Sequence, residues 1–233
     1  MITDVKGEIA QSTVARGSEG AKKYCRMLRD GTLAFADFML VAELEGLVKI
    51  VNSSTTSTGI ECAGAYDADG NDFGLNVPVG YTIMVIRVEV AVGLMTDDED
   101  IEVLFMTSNT AFTTGTATVV TPVNKFGGAG GPGTGSQCGC SVAIAANGGT
   151  DLSTGARAYT FWRERLECGA KPAAAQNEPS TNTRLAWVAP RDGLPAVVAG
   201  AGSVGGHIET TTTGASETHI TVEWIEMPTS WLT

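Results

Sequence analysis

This sequence has little charge and few aromatic rings. Charged residues make up 18% of its 233 residues, and Phe, Trp and Tyr together make up 6%, whereas about a quarter of an average chain is charged. Sugar-cleaving clefts commonly use stacking rings, so the low aromatic content argues against a glycosidase. The low charge favours a surface that neighbouring subunits cover in part.

Long apolar runs are also missing. No stretch of 18 apolar residues occurs, so we expect no membrane-spanning helix. The N-terminus has no apolar core behind a basic start, so we expect no signal peptide. Five cysteines at irregular spacing do not form a disulfide framework, and we expect free thiols in a protein made in a reducing cytoplasm. They are Cys25, Cys62, Cys138, Cys140 and Cys168.

Recognisable catalytic motifs are absent. Only His207 and His219 could act as imidazole bases, both in Thr-rich segments, and no Gly-x-Ser-x-Gly elbow occurs. The Gly-rich loop 127–136 lacks the Gly-Lys-Ser/Thr ending of a phosphate loop. We predict no catalytic residue and no cofactor. A pair of catalytic carboxylates can come from distant strands, so a hydrolase stays open as the weakest of the alternative functions.

One segment is a weak calcium candidate. Its oxygen-bearing side chains are Asp67, Asp69, Asn71 and Asp72, and alternating oxygen ligands suit a hard cation. The twelfth position of such a loop requires a bidentate Glu, but Pro78 stands there. A polar turn is therefore the favoured interpretation. Two cysteines separated by one residue do not make a zinc site, so we predict no metal.

The net charge of −11 argues against nucleic acid as the main partner, because phosphate binding needs clustered Lys and Arg. Residues 1–32 carry six basic and four acidic side chains, a net of +2, which leaves −13 for the remainder. We interpret 1–32 as an extended N-terminal arm. It is either a segment that docks on an acidic neighbour or a solvated end.

β-Strand patterns dominate the remainder of the chain. The strongest is Val77–Val92, with a turn at Pro78 and Gly80 followed by β-branched residues. Arg87 and Glu89 alternate with apolar residues there, which predicts one exposed face. Further strands are predicted at Leu33–Glu43, Leu44–Val51, Ile60–Ala65, Ile101–Thr107, Thr116–Val123, Cys138–Ala145, Arg157–Leu166 (strand or short helix), Arg184–Val188, Ala196–Ala199, Gly206–Thr212 and Thr218–Glu226.

About ten to twelve short strands separated by turns indicate an all-β antiparallel sandwich. We prefer a jelly roll, and an immunoglobulin-like sandwich stays open. The pattern does not determine the strand order. The expected organisation is the arm, residues 1–32, followed by a single sandwich domain, residues 33–233.

Four segments carry a resemblance to a known group of proteins. They are Tyr24–Thr32, Tyr159–Arg165, Ala196–Ser203 and Thr218–Pro228. With them the chain resembles bacteriophage virion structural proteins known from phage genomes and viral metagenomes. The resemblance implies a capsid or capsid-decorating (cement) subunit rather than an enzyme, made in the host cytoplasm and located in the virion. It implies a homotrimer or larger assembly that also contacts other capsid proteins.

Aromatic and arginine side chains are enriched at protein interfaces, which makes several residues candidates for subunit contact. They are Tyr24, Arg26, Arg29, Phe161, Trp162, Arg163 and Trp231. The alternative function is a carbohydrate- or receptor-binding module of a tail fibre or head fibre. In that case loops 66–72 and 127–136 would form the site.

Overall fold

The chain folds into two antiparallel β-sheets that share one apolar core, which confirms the all-β sandwich prediction. The predicted arm, 1–32, lies outside the residues that the structure describes. The computed structural model describes residues 42–43, 46–53, 60–61, 71–94, 101–112, 118–125, 140–144, 158–166, 184–210 and 217–231.

Thirteen strands and one short 3₁₀ helix lie within these ranges, together with two helical residues at 42–43. In chain order the strands are β1 (Val48–Asn52), β2 (Ile60–Glu61), β3 (Phe73–Val77), β4 (Tyr81–Leu94), β5 (Ile101–Ser108), β6 (Thr118–Val120), β7 (Val123–Asn124), β8 (Ser141–Ile144), β9 (Tyr159–Leu166), β10 (Arg184–Val188), β11 (Ala196–Ala199), β12 (Gly202–Thr210) and β13 (Glu217–Pro228). The 3₁₀ helix is Thr229–Trp231. Sheet one has the order β10-β4-β13-β1-β7, with β11 added to β4 and β2 to β13. Sheet two has the order β6-β8-β3-β12-β5-β9.

Eight of these strands form four nested pairs. The pairs are β1 with β13, β3 with β12, β4 with β10, and β5 with β9. Numbered within this set of eight, the first strand therefore pairs with the eighth, the second with the seventh, the third with the sixth and the fourth with the fifth. The first and third pairs join through β13 and β4 in sheet one. The second and fourth join through β12 and β5 in sheet two.

The core lies between the sheets and depends on β-branched residues at alternate positions. In β4, Ile83 and Val85 point into the core, and so do Val88 and Val90 further along. The alternation resets because Arg87 pairs with Glu223 while Val85 pairs with Trp224, so that Ile86 is an extra residue at a β-bulge. The bulge turns Ile86 to the other face of sheet one.

That outer face of sheet one carries a second apolar cluster, which includes Ile86, Ala42 and Leu47. Ala42 and Glu43 are helical. The Leu47 N–H donates to the Ala42 carbonyl at 2.9 Å, and the Gly46 N–H donates to the Glu43 carbonyl at 3.0 Å. With Gly46 at φ 69°, these bonds form the Schellman motif that ends a helix. The predicted strand Leu33–Glu43 is therefore wrong at its last two residues, because local capping bonds hold the backbone in a helix.

The outer face of sheet two is covered by the residues that follow β5. The Phe112 ring packs so closely over Gly74 that an added methyl group would overlap it. The Ser203 hydroxyl donates to the Thr110 carbonyl at 2.5 Å, and the Thr110 N–H donates to the Ser108 hydroxyl at 3.1 Å. This cover explains why a glycine lies in the middle of β3, a strand that the sequence patterns did not predict.

Several predicted strands have different bounds in the structure. Thr116–Val123 is two short strands, β6 in sheet two and β7 in sheet one, because Pro122 between them has no N–H for a ladder. The sequence allows either a strand or a short helix at Arg157–Leu166, and the structure has the strand β9 there. The strand predicted at Gly206 begins earlier, at Gly202.

Candidate functional site

Large hydrophobic side chains are exposed at several points of the sandwich. Seven of them are exposed in the part of the chain that the structure describes. Val119 and Val123 lie on β6 and β7. Leu194 lies in the turn between β10 and β11, beside the middle of β4. The other four, which we call the apolar rim, are Val79, Tyr81, Tyr159 and Val197.

Two tight turns position the rim. The Tyr81 N–H donates to the Pro78 carbonyl at 3.2 Å, and Gly80 has φ 91°, which suits glycine in a turn. The Gly200 N–H donates to the Tyr81 carbonyl at 2.9 Å. Gly200 lies directly against the Pro78 carbonyl, where a side chain would not fit. The turn that carries Val79 is thereby locked to the turn between β11 and β12.

A groove of about 450 Å³ lies beside these turns, where strands of both sheets meet. Its walls are Thr107–Asn109 at the end of β5, Tyr159 at the start of β9, and Val197–Ala201. Thr107 and Tyr159 are paired across the β5–β9 ladder. The groove offers a phenol ring, an amide and hydroxyl groups, and none of its described wall residues is Asp, Glu, Lys, Arg or His. This lining suits an uncharged group.

Several segments around the groove are uncharged. Segments 78–81, 107–110, 193–201 and 228–231 contain no Asp, Glu, Lys, Arg or His, although the exposed pair Arg191 and Asp192 directly precedes the third of them. The C-terminal 3₁₀ helix lies beside the turn at Gly80, because the Thr229 N–H donates to the Gly80 carbonyl at 2.8 Å. Trp231, a predicted interface residue, is the last residue of that helix.

The predicted interface residues of β9 divide between core and surface. Trp162 is 7% exposed, and its ring stacks on Phe105 at 5.7 Å. Phe161 packs edge-on against Trp187 at 5.0 Å and so joins the two sheets. Arg163 is exposed and forms an ion pair with Glu102. Of these three side chains, Arg163 is exposed, Phe161 is half-buried and Trp162 is buried. The remaining candidates, Tyr24, Arg26 and Arg29, lie outside the described residues.

The calcium candidate has a structural role at its described end. Asp72 is 1% exposed, and its carboxylate accepts the Ile208 N–H at 2.7 Å. Its own N–H donates to the Gly206 carbonyl at 2.9 Å. Asp72 thus extends the ladder between β3 and β12. Asn71 is also buried, whereas Asp67 and Asp69 lie outside the described residues.

No group of three or more His, Cys, Asp or Glu side chains that could hold a metal occurs among the described residues. Cys140 is buried and is not in a disulfide, and the other four cysteines fall outside the described ranges. No helix in the described ranges is long and apolar enough to cross a membrane.

A row of alternating charges crosses the outer face of sheet one. Glu223 accepts hydrogen bonds from Lys125 at 3.0 Å and from Arg87 at 2.9 Å. Glu89 pairs with Arg87 and, at 2.5 Å, with Arg184. The predicted exposed face at Arg87 and Glu89 is therefore only half exposed. Because each carboxylate is held by two cations, we interpret this row as an ionic network that ties strands together.

The sequence patterns did not identify the rim or the groove. The only signal in the sequence was a tyrosine or a valine at the start of a predicted strand or in a predicted turn. Such residues are common at these positions in β proteins and do not single out a binding surface. No protein-family model, no curated protein and no solved structure matches this chain.

Proposed function

We propose that this chain is a structural virion subunit, a phage capsid or capsid-decorating (cement) protein, built on a jelly roll. The four nested strand pairs carry the proposal. In a jelly roll, eight antiparallel strands form two packed sheets. The first strand pairs with the eighth, the second with the seventh, and the inner strands pair in the same nested way. This architecture is common in viral capsid domains and in lectins.

Two features of the surface support an assembly role. Exposed apolar side chains beside the groove, among them Tyr159 and Val197, are typical of protein contact sites. Residues 1–32 have a net charge of +2 on a chain whose remainder carries −13, which suits an arm that docks on the acidic body of a neighbour. The proposal places the protein in the virion, made in the host cytoplasm, with other capsid proteins as partners and no enzymatic activity.

The proposal is tested by the native mass of the purified protein, measured by light scattering with negative-stain imaging of the same sample. Closed shells would identify a self-sufficient capsid protein. A discrete trimer would identify a cement subunit that needs a preformed shell. A monomer at all concentrations would contradict an assembly role. Deleting residues 1–30 should lower the assembly state, and an unchanged mass would rule out the proposed arm contact.

The second candidate is a carbohydrate- or receptor-binding module of a tail fibre or head fibre. The groove favours it, because Tyr159 offers a half-exposed ring beside the amide of Asn109. Binding to a panel of immobilised glycans, compared between the wild type and Tyr159→Ala, separates the two functions. Loss of specific binding in the variant would favour the fibre module over the structural subunit.

A further inference from the structure

We propose that Lys49 and Asn124 form a covalent cross-link, an isopeptide bond between the lysine amine and the asparagine carboxamide. The two residues lie on neighbouring strands of sheet one, β1 and β7. The cross-link is a modification of the chain itself, so the proposal goes beyond the virion role and does not depend on it.

The Lys49 amine is buried, which is unusual for a lysine. The residue is 6% exposed. It faces the core between the sheets, because Val51, two residues further along β1, belongs to that core. The Lys49 Nζ donates to the Gly46 carbonyl at 3.1 Å, and the ion pairs in the described part of the chain do not include it. A buried amine that is held by a neutral carbonyl is a candidate nucleophile.

Asn124 supplies the group that the amine attacks. It is the ladder partner of Lys49, and residues that lie directly opposite in an antiparallel pair project from the same face with Cβ atoms about 4.5 to 5.5 Å apart. The lysine side chain is long and flexible. Rotation about its bonds therefore moves the amine from the Gly46 carbonyl to the Asn124 carboxamide without a change in the strands.

Glu226 places a buried carboxylate on the same face. It is 5% exposed, and its side chain accepts the indole N–H of Trp224, the other ladder partner of Lys49, at 3.3 Å. The Glu226 N–H donates to the Leu47 carbonyl at 2.9 Å, so Glu226 lies beside the start of β1. A carboxylate in this position can carry a proton from the attacking amine to the leaving group.

The reaction balances without another reactant. The neutral Lys49 amine attacks the side-chain carbonyl carbon of Asn124 and forms the new nitrogen–carbon bond. The bond from that carbon to the amide nitrogen breaks. One proton of the amine passes through the Glu226 carboxylate to the departing nitrogen, which leaves as ammonia. The product fastens the two-residue strand β7 to β1 by a covalent bond.

The test is the intact mass of the denatured full-length protein. The wild type should be lighter than its sequence mass by one ammonia, whereas Lys49→Arg, Asn124→Ala and Glu226→Gln should each have their full sequence mass. The matched control is Lys125→Arg. Lys125 follows Asn124 in the chain, but its amine pairs with Glu223 on the outer face of sheet one at 3.0 Å, so this variant should still lose one ammonia.

Peptide mapping of the wild type should find the Lys49 peptide joined to the Asn124 peptide, and this readout decides even where a variant does not fold. A wild type with its full sequence mass would overturn the proposal, whatever its oligomeric state. Loss of ammonia that persists in Lys49→Arg would overturn it too, because the ammonia would come from another reaction. Loss that persists in Glu226→Gln would overturn the role of Glu226 in proton transfer.

Discussion

The side-chain amide of Asn76 bonds to both backbone groups of Phe112. Its nitrogen donates to the Phe112 carbonyl at 2.5 Å, and its oxygen accepts the Phe112 N–H at 2.6 Å. The amide thereby satisfies backbone groups that no strand of sheet two reaches. This pair of bonds holds the segment after β5 over the outer face of β3.

Replacing Asn76 with Ala should destabilise the protein by about 2 kcal/mol or more. The substitution removes two hydrogen bonds and leaves two partly buried backbone groups without these partners. Urea denaturation followed by tryptophan fluorescence measures the change. Asn52→Ala is the matched control, because Asn52 makes one exposed bond to the Thr221 hydroxyl. A loss of stability no larger for Asn76→Ala than for the control would contradict this role of the amide.

Gly74→Ala should destabilise the protein by about 1 to 3 kcal/mol, because the new methyl group would overlap the Phe112 ring. The effect should shrink to less than about 1 kcal/mol when the same substitution is made in a Phe112→Ala background. Thermal or urea unfolding of the four proteins completes the cycle. Additive losses would show that some group other than the ring restricts this position.

Glu223→Gln should destabilise the protein by about 1 to 3 kcal/mol. The Glu223 side chain is 5% exposed, and the substitution leaves Arg87 and Lys125 without their shared anion. Glu102→Gln is the control, since the Glu102–Arg163 pair is far more exposed and should contribute less than about 1 kcal/mol. Equal losses measured by urea denaturation would contradict an ionic network buried at Glu223.

The contribution of the turn after β10 to stability should decrease in acid. A hydrogen bond from the Arg191 side chain lowers the pKa of the Asp192 carboxyl below its usual value, and the Val188 N–H adds to the effect. A lowered folded pKa contributes stability above the unfolded pKa of about 3.9, and this contribution is lost as the pH falls through the folded pKa.

Asp192→Asn should therefore reduce stability at neutral pH and have a smaller effect at about pH 3. Chemical denaturation of wild type and variant at both pH values measures the two differences. A stability difference that is the same at both pH values would show that the ionised carboxylate does not stabilise this turn.

Local patterns predicted the strands that are rich in β-branched residues. In β4 and β13 such residues recur at alternate positions on either side of the bulge at Ile86. The turn at Pro78–Gly80 follows from the conformational preferences of proline and glycine. β3 was missed because Gly74 and Asn76 both disfavour strands. The Phe112 ring covers Gly74, and the Phe112 backbone is bonded to the Asn76 amide. Phe112 is distant from both residues in sequence, so local patterns do not account for them.

The order of the strands and the position of the rim depend on contacts between distant residues. Nothing in the local pattern of β1 indicates that Val48 will lie opposite Ile225. Likewise, Val79 and Val197 become neighbours of one surface only because Gly200 packs on Pro78. These valines are exposed because of where the turns and strands of the sandwich end. Sequence periodicity does not show where those ends lie.

The nested pairing has a consequence for the order of events during folding. Among the described strands, β1 has only the two-residue strand β7 as its other partner in sheet one, so it must wait for β13, which the ribosome makes long after β1. Contacts of such large sequence separation slow folding. Until β13 arrives, the inner edge of β4 has no neighbour and can pair with another chain. We expect newly made chains to need a chaperone or a low concentration for as long as that edge is open.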